Sequence, residues 1–519
     1  MTKRKYKTGE EREQARLLPP RIEDYVGADN AVRLIDGFVD GLDLAKLGFS
    51  HTDGDGGAGQ PPFHPGDLLK LYLYGYSNRL RSSRRLACET LRNLEVIWLL
   101  KGLTPGYRTI SSFRASNAAA LKAMTRQLVG LAGRLGLLGN EVVAIDGAFF
   151  DGSASKASIV TKTRLAQRLA ALERDIAEYN EMLATNDAAE DTQAAQAQNG
   201  AQNGAQNGAP NGAQDAAARL AALRRQKADI EASIATLTAS GETQLSRTDA
   251  DARLLSKSGQ VVAGYNVQIG VDAKHKLIVA GEVVNDGNDT GQLHAMAAAA
   301  KEALGVDALT VVADAGYYNG AELKACEEDG IKAYVPEPAR GGRAEAQGRF
   351  GEGDFTYDPQ TQRFRCPGNH IFGPCGGKRD PSGKWIVRYA SSGRVCTACP
   401  LRGRCLTPKG ARREVWRWEH ADVTDRHRAR MADSDEMMRQ RKALAEHPFG
   451  TLKCRAGYRH FLVRGFVKVR GEFALMMACY NFTRLITILG FEGLIAAVRV
   501  ALNALFIALW CAISPFSAT

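Results

Sequence analysis

Two aspartates, each following a short apolar strand, are the residues of this sequence best suited to chemistry. The predicted strands cover 142–145 and 309–313, where β-branched residues favour extended structure, and they lead directly into Asp146 and Asp314. Open α/β sheets build their sites at the carboxyl ends of strands. A third acid, Glu446, lies far downstream in a basic helix. Three carboxylates that converge in a basic protein would hold hard divalent cations and act on phosphodiesters.

Each acid also has a simpler interpretation. A single Asp at a strand end often does no more than anchor a loop, and Asp151 is a rival to Asp146 as the first ligand. We favour Asp146 because the apolar strand leads directly into it. Small residues follow both aspartates, Gly147-Ala148 in one case and Ala315-Gly316 in the other, and would let a substrate backbone approach closely.

The segment around Glu446 is strongly basic. Nine Lys or Arg residues lie between Arg439 and Arg470, against one acid. Lys453 follows Glu446 by seven residues, so two helical turns would place both on one face, although we expect Pro448 to kink or end that helix. A second basic block spans 79–92. A solvated helix face explains many such runs, but two blocks beside a carboxylate site favour nucleic acid as the partner.

The composition is mildly basic, with 68 Lys and Arg, 57 Asp and Glu, a net charge of +11 and a pI near 9.1. The first residues lack the apolar core of a signal peptide. Ten cysteines without such a signal indicate a reducing, cytoplasmic compartment. The apolar tail 500–513 is short for a membrane span. We expect a buried terminal helix over 491–519, with an interfacial helix as the alternative.

The first 135 residues have helical patterns. Residues 1–60 form an amphipathic helical segment, and 61–135 contain short helices, with Ser82-Ser83 capping a helix over 84–99 and Thr109 capping one from Ile110. Helix, turn and a short basic helix are compatible with a helix-turn-helix-like DNA-binding domain. Any small helical bundle gives a similar pattern.

Residues 156–242 carry two heptad seams, one from Leu165 to Leu183 and one from Leu220 to Leu237. A tetrapeptide repeat rich in Ala, Gln, Asn and Gly separates them. Such a tract buries little apolar area, so we predict an antiparallel coiled-coil hairpin with a disordered tip over 184–215. The seams could instead pair between chains.

The remaining strands and helices follow the order of a ribonuclease-H-like core. A strand, a hairpin of strands, a helix, the Asp314 strand, a helix and a strand succeed one another, and helices return at about residue 424. We therefore predict an α/β fold with its catalytic core in 140–155, 243–335 and 424–490.

Residues 336–423 form a Cys-rich, zinc-ribbon-like insertion. Cys366, the Cys396/Cys399 pair and Cys405 provide the four thiolates of a structural tetrahedral zinc site. Cys375 and His370 lie close enough to Cys366 to compete with it. A cysteine-stabilised fold without metal is the alternative.

The segment 445–453, Ala-Glu-His-Pro-Phe-Gly-Thr-Leu-Lys, resembles the Glu segment of DDE insertion-sequence transposases. Within the set related to insertion sequences 4 and 5, it is similar in particular to the 1182 group. The resemblance covers most of the chain apart from 184–215. The other segments that carry it are 39–44, 109–111, 246–253, 264–268, 314–317, 457–461 and 464–465.

This resemblance implies residue roles. Asp146, Asp314 and Glu446 would hold two Mg²⁺ or Mn²⁺ ions, while water or a DNA 3′-hydroxyl attacks a phosphate at the element end. The wider family has Tyr, two residues, Arg, three residues, Glu, six residues, Lys. Here Arg439 and Lys442 occupy the Tyr and Arg places, and Lys substitutes imperfectly where bidentate phosphate contact is needed.

The resemblance and the basic blocks together predict the partners. We expect binding to the terminal repeats of the element and to target DNA, a homodimer in the active complex, no membrane, and a location on the bacterial nucleoid. The residues expected to contact DNA are Arg84, Arg85, Thr109, Arg114, Arg439, Lys442, Lys453, Arg455, Arg459 and Arg464.

Three functions compete at this point. The first is a transposase that cleaves and joins DNA at the ends of its own element. The second is an inactive or domesticated DNA-binding protein on the same fold, which the intact acidic trio disfavours. The third is an assembly scaffold built on the hairpin and the cysteines, which does not explain the basic residues around Glu446.

Overall fold

The structure is a computed structural model that describes residues 21–52, 61–198, 211–257, 259–338 and 345–513. Its helices are α1 (Val32–Asp40), α2 (Pro65–Ser77), α3 (Ser83–Arg92), α4 (Leu94–Leu99), α5 (Tyr107–Ser116), α6 (Ala118–Arg134), α7 (Lys162–Gln198), α8 (Asn211–Ser240), α9 (Leu293–Leu304), α10 (Gly320–Glu328), α11 (Gly393–Thr397), α12 (Arg402–Cys405), α13 (Ala421–Met431), α14 (Asp435–Gly450) and α15 (Phe466–Ile513). Its strands are β1 (Val142–Asp151), β2 (Ile159–Thr161), β3 (Gln244–Ser246), β4 (Arg253–Lys257), β5 (Gln260–Asp272), β6 (Ile278–Val284), β7 (Leu309–Val312), β8 (Ile331–Tyr334), β9 (Thr356–Asp358), β10 (Arg363–Arg365), β11 (Ile371–Phe372), β12 (Pro374–Arg379), β13 (Trp385–Ala390) and β14 (Glu414–Trp418).

A mixed six-stranded sheet lies at the centre of the fold. Its order is β4-β5-β1-β7-β8. Strand β6 also pairs with β5, along the residues of β5 that follow those paired with β4. Strand β1 is antiparallel to β5 and parallel to β7. A mixed sheet of this kind, preceded by an N-terminal helical region, is consistent with the predicted ribonuclease-H-like core.

Helices pack on both faces of strand β1. Successive side chains of a strand point to opposite sides of the sheet, so alternate residues of β1 contact different helices. Val143 and Ile145 belong to the large apolar core together with Leu293 of α9. Ala144, between them, belongs to a separate cluster with Leu444 of α14. The even-numbered residues at the start of β1 therefore face α14.

Two predicted helix boundaries in the N-terminal region are wrong. Helix α5 begins at Tyr107, before Ile110, because Gly106 is extended (φ −67°, ψ 153°) and forms its N-cap. The helix predicted over 84–99 is divided at Asn93, which is also extended and whose side chain accepts hydrogen bonds from the backbone N–H groups of Glu95 and Val96. A side-chain cap of this kind starts a new helix.

The insertion between β2 and β3 consists of the antiparallel helices α7 and α8. Leu165, Leu172, Ile230 and Leu237 are buried in one cluster between them, and β2 pairs with β3 at their base. The tip predicted to be disordered over 184–215 is too wide, because α7 continues to Gln198 and α8 starts at Asn211. The residues on either side of the repeat are rich in Ala and Gln, which favour helix. The repeat residues 199–210 lie outside the described residues.

The Cys-rich insertion contains two small three-stranded sheets, β11-β10-β9 and β12-β13-β14. Aromatic residues form a separate core between them, with Phe355, Phe364, Phe372 and Tyr389 buried beside Val415. This module therefore has its own apolar cluster.

Helix α14 continues through Pro448, which was expected to kink or end it, and leads into a π-helical turn, Thr451–Arg455. Pro448 lies in the last turn of α14, where its missing N–H leaves the Leu444 carbonyl without the donor of a regular helical hydrogen bond. Because the π-helical turn is wider than an α-helical one, Lys453 does not follow Glu446 by two regular turns.

Helix α15 is the long apolar helix of the core. Among the described residues, only its first part, Phe466–Gly490, has the length and composition to cross a membrane, and 61% of its apolar window is buried against the protein. It contacts α2, α6 and β6, and its regular geometry breaks at Gly490 (φ 68°). Burial of this kind is what a central core helix requires.

A buried carboxylate ties α15 to the N-terminal helices. Glu472 is fully buried, accepts hydrogen bonds from the Tyr76 hydroxyl and the Leu462 N–H, and lies 3.6 Å from Arg81 and 3.8 Å from Arg114. Several donors around one buried charge are needed to offset its desolvation. The N-terminal helical region is therefore joined to the core by a specific ionic contact.

Candidate functional site at the β1–β7 edge

Asp146 and Asp314 lie at the same level of the central sheet. The parallel pairing of β1 with β7 ends where Ala144 faces Val312, and each aspartate lies two residues beyond that pair. Asp314 follows the end of its strand, as predicted. Asp146 does not, because β1 continues to Asp151 in antiparallel pairing with β5. The two carboxylates thus meet where the parallel pairing stops.

Burial raises the pKa of Asp146 to about 6. The Asp314 charge also raises it, whereas a hydrogen bond from the Gly147 N–H (2.9 Å) and the charges of Arg441 and Lys257 lower it. Even-numbered positions of β1 face α14, which explains why Arg441 of that helix is close. The site therefore holds a carboxyl group whose negative charge is incompletely compensated by the protein.

Asp314 is fixed by the turn that follows it. One carboxylate oxygen accepts a hydrogen bond from the Gly316 N–H at 2.8 Å and caps the turn Ala315–Tyr317. The other lies 3.9 Å from Nη1 of Arg441, which is buried and finds no hydrogen-bond partner among the described residues. Arg441 is thus a cation facing the acidic pair with donor capacity to spare.

Asp289 is a third acid at this edge of the sheet, and it was not predicted from the sequence. It is 5% exposed and accepts hydrogen bonds from Asn266 (2.8 Å) and Gln268 (2.7 Å). A Cβ atom added at Gly147 would lie 2.7 Å from its Oδ1, and one added at Gly316 would lie 3.7 Å from its Oδ2. The available signal was a run of acids and amides, Asn285 to Asp289, just before a helix.

Tyr317 joins these groups. Its hydroxyl donates to Gln268, and a Cβ at Gly147 would lie 3.0 Å from it. Burial raises the pKa of Tyr317 well above its usual value, and the charges of Asp289, Asp146 and Asp314 raise it further. Gly147 is therefore needed to leave room for Asp289, Gln268 and Tyr317, whereas a Cβ atom at Gly316 would lie 2.9 Å from Oδ1 of Asp314.

Glu446 is exposed on α14. The residues before it, Leu444 and Ala445, are buried, and Leu444 packs against the sheet. Within the described part of the chain it forms neither a hydrogen bond nor an ion pair. His447, the next residue, contacts the Tyr480 hydroxyl at 3.0 Å.

Lys453 lies beside the other end of β1. Its Nζ donates to the Phe149 carbonyl at 2.8 Å and lies 4.7 Å from the centre of the Phe150 ring. Burial lowers the pKa of Lys453, and the charges of Asp151 and Asp146 oppose this. The ammonium is thus held against the strand that carries Asp146.

The other acids near the site have different surroundings. Strand alternation places Asp151 on the opposite side of β1 from Asp146, and its backbone bonds to Arg459 and Phe461. Asp249 and Asp251 accept hydrogen bonds from the backbone N–H groups of Gly465 and Phe466, at the start of α15.

Most of the predicted DNA-contacting residues are exposed. These are Arg84, Arg85, Thr109, Arg439, Lys442, Arg455, Arg459 and Arg464. Lys453 is partly buried against β1. Arg114 corrects the prediction, because it is 5% exposed, bonds to Tyr76 at 3.1 Å and lies beside Glu472. A buried guanidinium paired in this way supports the fold and is not available to DNA.

The four predicted zinc thiols line one pocket in the insertion. Cys366, Cys396, Cys399 and Cys405 all border it, together with His370, whereas Cys375 bonds to the Arg388 carbonyl. Burial raises the pKa of the Cys405 thiol, with smaller effects from the other three cysteines. The described residues nevertheless include no group of three or more His, Cys, Asp or Glu side chains arranged to hold a metal ion.

Two segments of the chain match families of transposase domains. Residues 365–486 match the family described as Transposase DDE domain, and residues 20–116 match the family described as Transposase domain (DUF772). These two segments are therefore similar to transposase domains. The first match includes Glu446 and Lys453 and begins after Asp314. No curated protein and no solved structure matches this chain.

The raised pKa of Asp146 predicts how stability depends on pH. Above the unfolded value of 3.8, folding must bury a charge, so stability should fall as the pH rises through about 6. Asp146→Asn removes that charge and should stabilise the metal-free protein at pH 8 by up to about 3 kcal/mol, and much less at pH 4. Urea unfolding in chelator at both pH values measures this.

Asp151→Asn provides the matched control, because Asp151 lies on the same strand and is exposed. It should change the free energy of unfolding by no more than about 0.5 kcal/mol at either pH. Equal stability of Asp146→Asn and wild type at pH 8 would show that Asp146 is not an unfavourably buried charge.

Proposed function

We propose that this protein is a DDE transposase of the 1182 group that cleaves DNA strands at the ends of its own insertion sequence and joins them to target DNA. The observation that carries the proposal is the parallel register of β1 and β7, which ends at Ala144 and Val312 and places Asp146 and Asp314 two residues further at one level. The two transposase-domain matches support it.

The acidic pair has the donor chemistry that Mg²⁺ or Mn²⁺ prefers, because carboxylate oxygens are hard ligands. Asp146 and Asp314 would hold the cations, two per site, with Glu446 as the third ligand. When bound, such ions neutralise charge on the attacked phosphate and activate the attacking water or 3′-hydroxyl. The incompletely compensated charge at Asp146 fits a group that awaits a cation.

The residues of the chain would orient the DNA. Exposed basic side chains from α14 to the start of α15 would bind backbone phosphates, and Arg84 and Arg85 of α3 would do so in the N-terminal region. A homodimer would bring two element ends together with target DNA, on the nucleoid of a bacterial cytoplasm.

The exposure of Glu446 gives one specific argument for a second function, that of an inactive DNA-binding protein on the same fold. A transposase requires Glu446 to approach the aspartates when DNA binds, whereas an inactive protein does not. Substitution of each acid separates the two.

Alanine at Asp146, Asp314 or Glu446 should abolish strand cleavage. Affinity for duplex DNA should change by less than about tenfold, or about 1.4 kcal/mol, because the acids do not hold the DNA. Cleavage of a plasmid that carries the reading frame with its flanking DNA, in the presence of Mg²⁺, measures this.

Asp151→Ala is the control and should retain cleavage. Full activity of any one of the three variants rejects that residue as a ligand, and activity of wild type in excess chelator rejects the metal mechanism. A wild-type protein that binds DNA but never cleaves it would favour the second function.

The cysteine pocket is proposed as a structural zinc site, because four thiols border one cavity next to an aromatic cluster. Elemental analysis of purified protein should find about one zinc per chain, and Cys396→Ser or Cys405→Ser should lose it. Cys88→Ser, at an exposed thiol of α3, should keep it. Wild-type protein without zinc would leave the module as an unmetallated fold.

A further inference from the structure

Lys257 lies at the end of β4, and its ammonium reaches the edge of the acidic pair. Its Nζ is 3.4 Å from Oδ2 of Asp289. Asp289 is the buried acid whose oxygens lie against Gly147 and Gly316, the glycines beside Asp146 and Asp314. Lys257 therefore contacts Asp289 and acts through its charge on Asp146, although it is distant from both in sequence.

The β4–β5 hairpin must bend to bring it there. Lys257 pairs with Gln260, and Asp289 bonds to Gln268, eight residues further along β5. A straight strand of that length would span about 27 Å, far beyond the reach of a lysine side chain. The end of the hairpin thus folds back over the face of the sheet.

Gly264 lies between these two points and allows a close backbone approach. A Cβ atom there would lie 2.6 Å from the Gly152 nitrogen and would also overlap the Phe150 carbonyl oxygen. A residue with a side chain could not approach β1 so closely. Gly264 therefore marks where the hairpin departs from the regular sheet.

The contact between Lys257 and Asp289 is suited to exchange. At 3.4 Å it is longer than a strong charge-assisted hydrogen bond, and the Lys257 side chain is 50% exposed. Asp289, by contrast, is fixed by two amide donors and is 6% exposed at its side chain. An anion that binds at the site can attract the Lys257 ammonium away from Asp289, while Asp289 stays in place.

We propose that Lys257 is a DNA phosphate-binding residue of the cleavage site, positioned by Asp289 at the end of the curled β4–β5 hairpin. The inference rests on the proposed function, because it assumes that DNA backbone enters beside Asp146 and Asp314. Lys257 supplies positive charge from the sheet side, opposite Arg441 of α14, so the scissile phosphate would lie between two cations.

The test measures binding of full-length protein to a fluorescein-labelled duplex whose sequence is the DNA that flanks the reading frame. Chelator is present throughout, and KCl is varied. Lys257→Ala should lower the slope of log affinity against log salt by about one unit, as expected for one lost phosphate contact. Lys257→Arg should restore the slope. An unchanged slope in Lys257→Ala overturns the proposal.

Lys324→Ala is the matched control, since Lys324 pairs with Glu328 on α10 away from the acidic pair, and its slope should equal that of wild type. A second measurement needs no variant: lysine acetylation of wild-type protein, read by mass spectrometry. The duplex should protect Lys257 and leave Lys324 reactive, whereas equal labelling of Lys257 with and without DNA contradicts the proposal. Neither measurement depends on cleavage, so failure of the transposase assignment is seen separately.

Discussion

The parallel register that pairs Ala144 with Val312 carries Asp146 and Asp314 to one level of the sheet, two residues beyond that pair. Two like charges at this spacing repel one another, and burial of one of them adds a desolvation cost. The raised pKa of Asp146 expresses both effects. A sheet edge built in this way is strained electrostatically without a cation, which is how a site that binds hard metal ions is expected to look before the ions bind.

The elements around Asp146 and Asp314 make room for the neighbouring side chains and bring positive charge to the two carboxylates. Gly147 makes space for Asp289 and Tyr317, and the Gly316 N–H fixes the turn after Asp314 by donating to its carboxylate. Helix α14 covers the same face of β1 and brings Arg441 to the acids. The hairpin β4–β5 curls over from the other side with Lys257. Cations thus approach the carboxylates from two separate elements.

The local parts of this arrangement were predictable from sequence. Short β-branched strands that lead into an aspartate, and small residues after it, are periodic and local signals. The contribution of Asp289 and Lys257 was not predictable, because it depends on a contact between residues far apart in the chain. Arg114 looked like a basic surface residue, since sequence alone does not show that its helix face meets Glu472. The two helices of the hairpin are longer than predicted, because residues with high helix propensity lie directly beside the polar repeat.

The claim on which the account depends is that Asp146 and Asp314 act as one cation site. Binding of Mn²⁺, followed by electron paramagnetic resonance in the absence of DNA, tests it most directly. Asp146→Asn and Asp314→Asn should each weaken binding by roughly tenfold or more, and the double variant should bind little more weakly than either alone. Unchanged Mn²⁺ affinity in either single variant, or losses that simply add in the double variant, would contradict the account.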